Sequence, residues 1–190
     1  MPWVESGQSD CDNLKFEDVR DDAMVREGVH IVCGSTGAGK TTYSLRLAED
    51  LGAIRFSLDD WMTALFWMDL PSASDPTWAF ERVDRCQIQI WSIVKDLAAR
   101  GIPSVLDFGF VRRQDRMTVA NLAAAESLPV KLHYLGTPAH IRWERVQARN
   151  VARGQNFRFE IPREQFDYTE SIWQPPSEAE LVELNGVRVC

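Results

Sequence analysis

Long apolar runs are missing from this sequence. No stretch approaches the roughly eighteen residues that a membrane-spanning helix needs, and no secretory pattern of charged, apolar and small residues opens it. Only four cysteines occur among 190 residues (Cys11, Cys33, Cys86 and Cys190), and none stands in a C-x-x-C pair. The three histidines, His30, His133 and His140, are equally scattered and read as structural. These absences argue against a membrane partner, a disulfide framework and a structural zinc site. A reduced, cytoplasmic protein is the expectation. Repeats and low-complexity tracts are lacking too. With 45% apolar and 26% charged residues, the composition is that of one ordinary globular domain.

Basic residues are scarce at one end. The first 28 residues hold eight acids and three bases, and so carry five of the seven net negative charges. The rest is close to neutral, so overall acidity says little about partners. The acidic head has weak periodicity and reads as a disordered extension over 1–28, ahead of a domain over 29–190. Met24, just before "VREGVHIVC", is a candidate translation start that would make 1–23 dispensable.

Short β-branched runs alternate with longer helical patterns, which predicts βαβ units, a parallel sheet and an α/β fold. Strands are predicted at His30–Cys33, Ile54–Ser57, Pro103–Asp107 and Val130–Leu135. A helix over 39–51 stops at Gly52, a plausible C-terminal glycine. Apolar residues at 80, 83, 86, 90, 94 and 97 mark one face of a helix over 76–100. Further helices are predicted over 112–126, 138–150 and 163–172, with Thr137 as N-cap and Pro138 at N1 of the second. In "PPSEAE", Ser177 and Glu180 have capping-box spacing. The end, "ELVELNGVRVC", fits either a small hairpin or a fifth strand.

The most specific motif is "GSTGAGKT", Gly34 to Thr41, which matches G-x-x-x-x-G-K-[ST] between an apolar strand and a helix. Gly34, Gly37 and Gly39 permit the backbone to wrap phosphates. Successive N–H groups around Ser35, Thr36, Ala38 and Thr42 form an anion nest at a helix N-terminus. Lys40 reaches the β- and γ-phosphates, and the Thr41 hydroxyl is placed for Mg²⁺. ATP is the expected nucleotide, because the guanine-selecting N-K-x-D is absent. The strand "SVLDF" ends in Asp107 followed by Phe108, so the second acid that activates water in many ATPases is also missing. Transfer to a bound acceptor is favoured over hydrolysis.

Two acids in "SLDDWM" follow the second strand, where ligands sit beyond strand carboxyl ends. Asp59 is read as the base that orients an attacking hydroxyl, and Asp60 as the helix cap. Arg145, Arg149 and Arg153 recur every four residues in "RWERVQARNVARG". Alone they would be a solvated face; after a phosphate loop, Arg149 and Arg153 read as a lid over about 150–163.

Together "GSTGAGKT", "SLDD", "VLDFG" and "RNVARG" resemble the P-loop kinase-like family that includes polynucleotide 5′-hydroxyl kinases, zeta toxins and chloramphenicol phosphotransferases. The resemblance spans about 29–176. It implies a three-layer P-loop NTPase fold with a five-stranded parallel sheet in the order 2-3-1-4-5, helices on both faces and an Arg-rich lid. It further implies Asp59 as general base, Lys40 and Thr41 on phosphates and Mg²⁺, Asp107 as the acid that ends the third strand and joins Thr41 at the metal, and Arg149 and Arg153 as lid arginines. Polynucleotide kinases of this type carry an arginine three residues after the catalytic aspartate, where this chain has Met62. Trp61, Leu65, Phe66 and Trp67 continue that helix as either core or an apolar acceptor wall. The function expected is a kinase that phosphorylates a small hydroxyl compound. A polynucleotide or tRNA kinase, with Arg112, Arg113 and Arg116 supplying charge, and an ATP-binding switch or ATPase remain the alternatives.

Overall fold

Five short strands carry the fold in the computed structural model, which describes residues 27–69, 76–152 and 160–189. They are β1 (Val29–Cys33), β2 (Ile54–Ser57), β3 (Ser104–Asp107), β4 (Val130–Leu135) and β5 (Val187–Val189). Between them run α1 (Lys40–Leu51), α2 (Leu58–Phe66), α3 (Pro76–Ala98), α4 (Arg113–Ala125), α5 (Ala139–Ala152), α6 (Arg163–Ile172) and α7 (Glu178–Glu183). The acidic head with Met24, the middle of the expected lid and Arg153 lie outside the described residues. The sheet order is β2-β3-β1-β4-β5, every pairing is parallel, and the fold is that of P-loop NTPases. No described helix is long and apolar enough to cross a membrane.

Strand β1 is buried along its whole length, as a central parallel strand must be. Its side chains alternate between two cores. Val29, Ile31 and Cys33 join Phe56, Leu106 and Leu132 under Cys86, Ile90 and Val94 of α3 and Val119 and Ala123 of α4. Val32 joins Val105 and Leu135 under Leu47 and Ala48 of α1 on the other face. Each fully buried aliphatic side chain contributes on the order of 1.5–3 kcal/mol. Burial pushes the Cys33 thiol up to about 12, so it acts as packing. On the α1 side, Tyr43, His133 and His30 form a hydrogen-bonded row at 2.8 and 3.0 Å. Burial and His30 hold His133 well below the usual histidine range, so His133 is a neutral structural group.

Local signals set most element ends. Gly52 caps α1 with a left-handed backbone (φ 64°). Asn185, also left-handed (φ 47°), turns the chain so that Val187–Val189 adds to β4 as a fifth strand and not as a hairpin. Three expectations are corrected. Ser57, not Asp60, caps α2, since the serine oxygen accepts the Asp60 N–H at 3.2 Å. The Thr137 hydroxyl donates to the Ala38 carbonyl, and α5 begins at Ala139. Ser177 caps α7, but the Glu180 carboxylate turns inward, away from the expected box.

Glu180 meets Arg116 of α4, the arginine considered for an acceptor. Both are fully buried, at 1% and 0% exposure. Arg116 Nε and Nη2 donate to the two carboxylate oxygens at 2.6 and 3.0 Å, and Nη1 donates to the Phe110 carbonyl at 3.1 Å. This pair fastens α7, and so the start of β5, to α4. Trp173 packs beside it, with Arg116 5.8 Å from its ring and the Tyr134 ring 6.3 Å away. Removing one partner strands the other charge in the interior. Glu180→Ala is expected to lose about 3–5 kcal/mol of unfolding free energy in denaturant melts.

Candidate active site

Because every strand is parallel, the carboxyl ends of β1, β2 and β3 open on one edge. The loop Gly34–Gly39 leaves β1 there and feeds α1, while Asp59 and Asp60 open α2 beyond β2 and Asp107 ends β3. They enclose a cleft of about 420 Å³. Its floor is Gly34, Ser35, Thr36, Gly37, Gly39, Lys40, Thr41 and Thr42. Arg145, Val146 and Arg149 of α5 and Gln165 and Thr169 of α6 form its far wall. Ala38 alone among the loop residues lies off the cleft. Its methyl is buried with Val32 and Leu47, and its N–H closes a turn onto the Ser35 carbonyl at 3.1 Å.

Gly37 shows why the loop has its sequence. Its φ is +80°, and a methyl group there would meet the Arg142 carbonyl oxygen at 2.5 Å. Backbone freedom and close packing against α5 are both required. The Lys40 ammonium donates to the carbonyls of Gly34 (2.9 Å) and Ser35 (3.2 Å). Burial lowers its pKa, and Asp107 and Asp59 pull it back up.

Three carboxylates face the cleft, and one arginine sorts them. Arg55 of β2 donates to Asp107 Oδ2 at 2.6 Å, Asp60 Oδ2 at 3.0 Å and Ser44 Oγ at 2.7 Å. Ser44 in turn donates to Asp107 Oδ2 at 3.0 Å. Asp59 shares neither of these contacts. It is open to the cleft, yet the surrounding walls desolvate its carboxyl and Asp107 repels its charge. Its pKa is therefore raised, with Lys40 and Arg55 pulling the other way. Asp60 is thus an ion-pair partner and not a cap. Opposite, Arg149 has its pKa lowered by burial, with the Asp59 charge opposing that, and its Nε is buried with no hydrogen-bond partner among the described residues.

The donors fit a nucleoside triphosphate with Mg²⁺. A buried guanidinium nitrogen without an acceptor, an ammonium and a glycine-rich helix start all ask for anionic oxygen. Thr41 and Asp107 supply hard oxygens at the same cleft, the kind of set Mg²⁺ takes alongside phosphates and waters. Arg153 is outside the described residues. Trp61, Met62 and Phe66 are half-buried against the main core and are not among the residues lining the cleft, and Leu65 and Trp67 are exposed. Arg55, Arg142 and Glu170 went unread in the sequence. A charged residue inside the strand "IRFS", and an arginine four before buried Val146 on the same helix face, were the available signals.

Strand order, the loop between β1 and α1, and the acids beyond β2 and β3 define a P-loop nucleotide-binding protein. Residues 29–176 match the family described as an AAA domain (AAA_33), and the chain belongs to that family of kinase-like P-loop domains. No curated protein matches the chain. Among solved structures, Kti12 from Chaetomium thermophilum, in complex with ADP-AlF3, is 15% identical with a TM-score of 0.64, over 85% of this chain and 88% of that one. A gluconokinase from Sinorhizobium meliloti 1021 is 16% identical with a TM-score of 0.55, over 85% and 81% of the two chains. A chain of the Pnkp1/Rnl/Hen1 RNA repair complex is 16% identical with a TM-score of 0.55, over 78% of this chain and 46% of that one. At such identities the likeness is one of fold alone.

Gly37→Ala tests the cradle. The positive φ alone costs an alanine about 1–2 kcal/mol, a factor of about 5–30, so a free loop that relaxes out of this shape is expected to lower MgADP affinity by about that factor in calorimetry.

Proposed function

We propose that the protein is a kinase that transfers the γ-phosphate of ATP to the hydroxyl of a small-molecule acceptor, with Asp59 as the general base. The observation that carries this reading is the division of the carboxylates. Arg55 engages Asp60 and Asp107, and Asp59 is left facing Lys40 and Arg149 across the cleft.

In this reading the acceptor hydroxyl lies between Asp59 and the γ-phosphate. The oxygen attacks phosphorus in line, the bond to the β-phosphate oxygen breaks, ADP leaves, and the hydroxyl proton passes to an Asp59 oxygen. A raised pKa makes Asp59 a stronger proton acceptor than an ordinary aspartate. Lys40 and Arg149 offset the phosphate charge, and Arg153 would extend that role from the lid. When bound, Mg²⁺ held by Thr41 and Asp107 would neutralise the β- and γ-phosphate oxygens.

Two of the three arginines that could have gripped a polyanion are engaged elsewhere. Arg116 is buried against Glu180, and Arg113 pairs with Glu183 at 3.1 Å. With Met62, half-buried against the core, where an arginine would be needed, this favours a small acceptor over a polynucleotide. It fits the gluconokinase among the structural neighbours better than the RNA repair complex.

The test is transfer of labelled γ-phosphate to a panel of sugars, small alcohols and a 5′-hydroxyl oligonucleotide, by wild type and Asp59→Asn. Asp59→Asn is expected to lower kcat about 10²–10⁴-fold while ATP affinity stays within about threefold. Near-normal transfer by Asp59→Asn would remove the base assignment. Turnover unaffected by every acceptor would favour an ATPase or switch. The pH profile follows from the raised pKa. The base works deprotonated, so kcat/KM should fall on acidification, with its midpoint above the 3.8 of an ordinary aspartate.

A further inference from the structure

Lys40 is turned back onto its own loop, where the Gly34 and Ser35 carbonyls hold its ammonium. Those carbonyls compete with a phosphate for the same cation. An ion pair from outside the loop holds the loop residues on either side of that contact. Arg142 of α5 is 5% exposed, and its whole guanidinium is engaged. Nε donates to the Thr137 carbonyl at 2.8 Å and Nη1 to the Thr36 carbonyl at 3.1 Å. Nη1 and Nη2 also donate to Glu170 Oε1 and Oε2, at 2.7 and 2.5 Å.

Glu170, on α6, accepts a hydrogen bond from the Ser35 hydroxyl. Ser35 is therefore held at its carbonyl by Lys40 and the Ala38 N–H, and at its side chain by Glu170. The next loop residue, Thr36, is held by Arg142. The Arg142 hydrogen bonds keep the Glu170 carboxyl below the usual carboxylate range, so the pair is charged at neutral pH. The α5 backbone abuts Gly37 as well, with no room for a methyl group between them.

We propose that Arg142 and Glu170 form a positioning strut that keeps the phosphate loop in its nucleotide-accepting shape, fixing Ser35 and Thr36 against the pull of Lys40. The strut rests on nucleotide binding, a property of the family, and not on the acceptor or on Asp59. It also ties the floor of the cleft to α6.

A strut of this kind sets the fraction of molecules competent to bind. Its loss slows association in proportion and leaves dissociation nearly unchanged. The probe is MgADP carrying a fluorescent ribose label, mixed in stopped flow with wild type, Glu170→Gln and Ser35→Ala. Glu170→Gln keeps the side-chain shape but removes the charge. Its association rate is expected to fall about tenfold, with dissociation within about twofold. Ser35→Ala should move the same way by less. Unchanged rates in both variants, or a loss carried by faster dissociation, would overturn the proposal. Should Glu170→Gln fail to fold by circular dichroism, Ser35→Ala decides by the same two rates, because it leaves the ion pair in place. No transfer assay is involved, so failure here leaves the Asp59 reading intact, and the reverse also holds.

Discussion

Parallel pairing of β1 between β3 and β4 is the constraint on which the rest depends. A strand paired on both sides and covered on both faces has no solvated edge, so its residues must be apolar or hydrogen-bonded to neighbours. Parallel neighbours also send their carboxyl ends the same way. The glycine loop after β1, the acids after β2 and the acid ending β3 therefore meet without any long excursion of the chain. The cleft is a consequence of strand direction, and the side chains that line it need only be placed within a residue or two of a strand end.

Charge then organises what strand direction brings together. Asp59, Asp60 and Asp107 crowded at one edge would repel one another. Arg55, 12% exposed and reaching Asp60, Asp107 and Ser44 at once, resolves most of that repulsion with a single planar group. The residual strain falls on Asp59, whose environment is the one that favours taking up a proton. A similar economy operates behind the loop, where Arg142 satisfies two carbonyls and a carboxylate. Both arginines shape the site through other residues, and both sit where an alternating or helical pattern would place an apolar side chain.

The parts of the molecule legible in the sequence are those fixed by short-range chemistry. Four strands were readable from β-branched runs, the phosphate loop from glycine spacing, and the end of α1 from Gly52. The strand order required the family resemblance, because spacing along a chain does not say which strand is central. Misreadings arose where a side chain had two competing partners. Asp60 stands at a helix start and could cap it, but Ser57 does so and Arg55, five residues earlier on β2, takes the carboxylate. Glu180 has capping-box spacing, yet Arg116, 64 residues away, outcompetes the local N–H. Met62 and Trp61 are ambiguous in the sequence between wall and core, and with α2 packed beside α3 both are half-buried against the core. Long-range ion pairs leave no periodic trace. A lone arginine in a strand is the most that the sequence shows of them.

The central claim is that Asp59, and neither of its neighbouring acids, faces the reacting phosphate. A crystal structure of the protein with MgADP and aluminium fluoride measures this directly. An Asp59 carboxylate oxygen is expected within about 2.6–3.2 Å of the oxygen in line with the fluoride plane, with Arg55 still on Asp60 and Asp107. Asp60 or Asp107 at that position, or Asp59 turned out of the cleft, would contradict it.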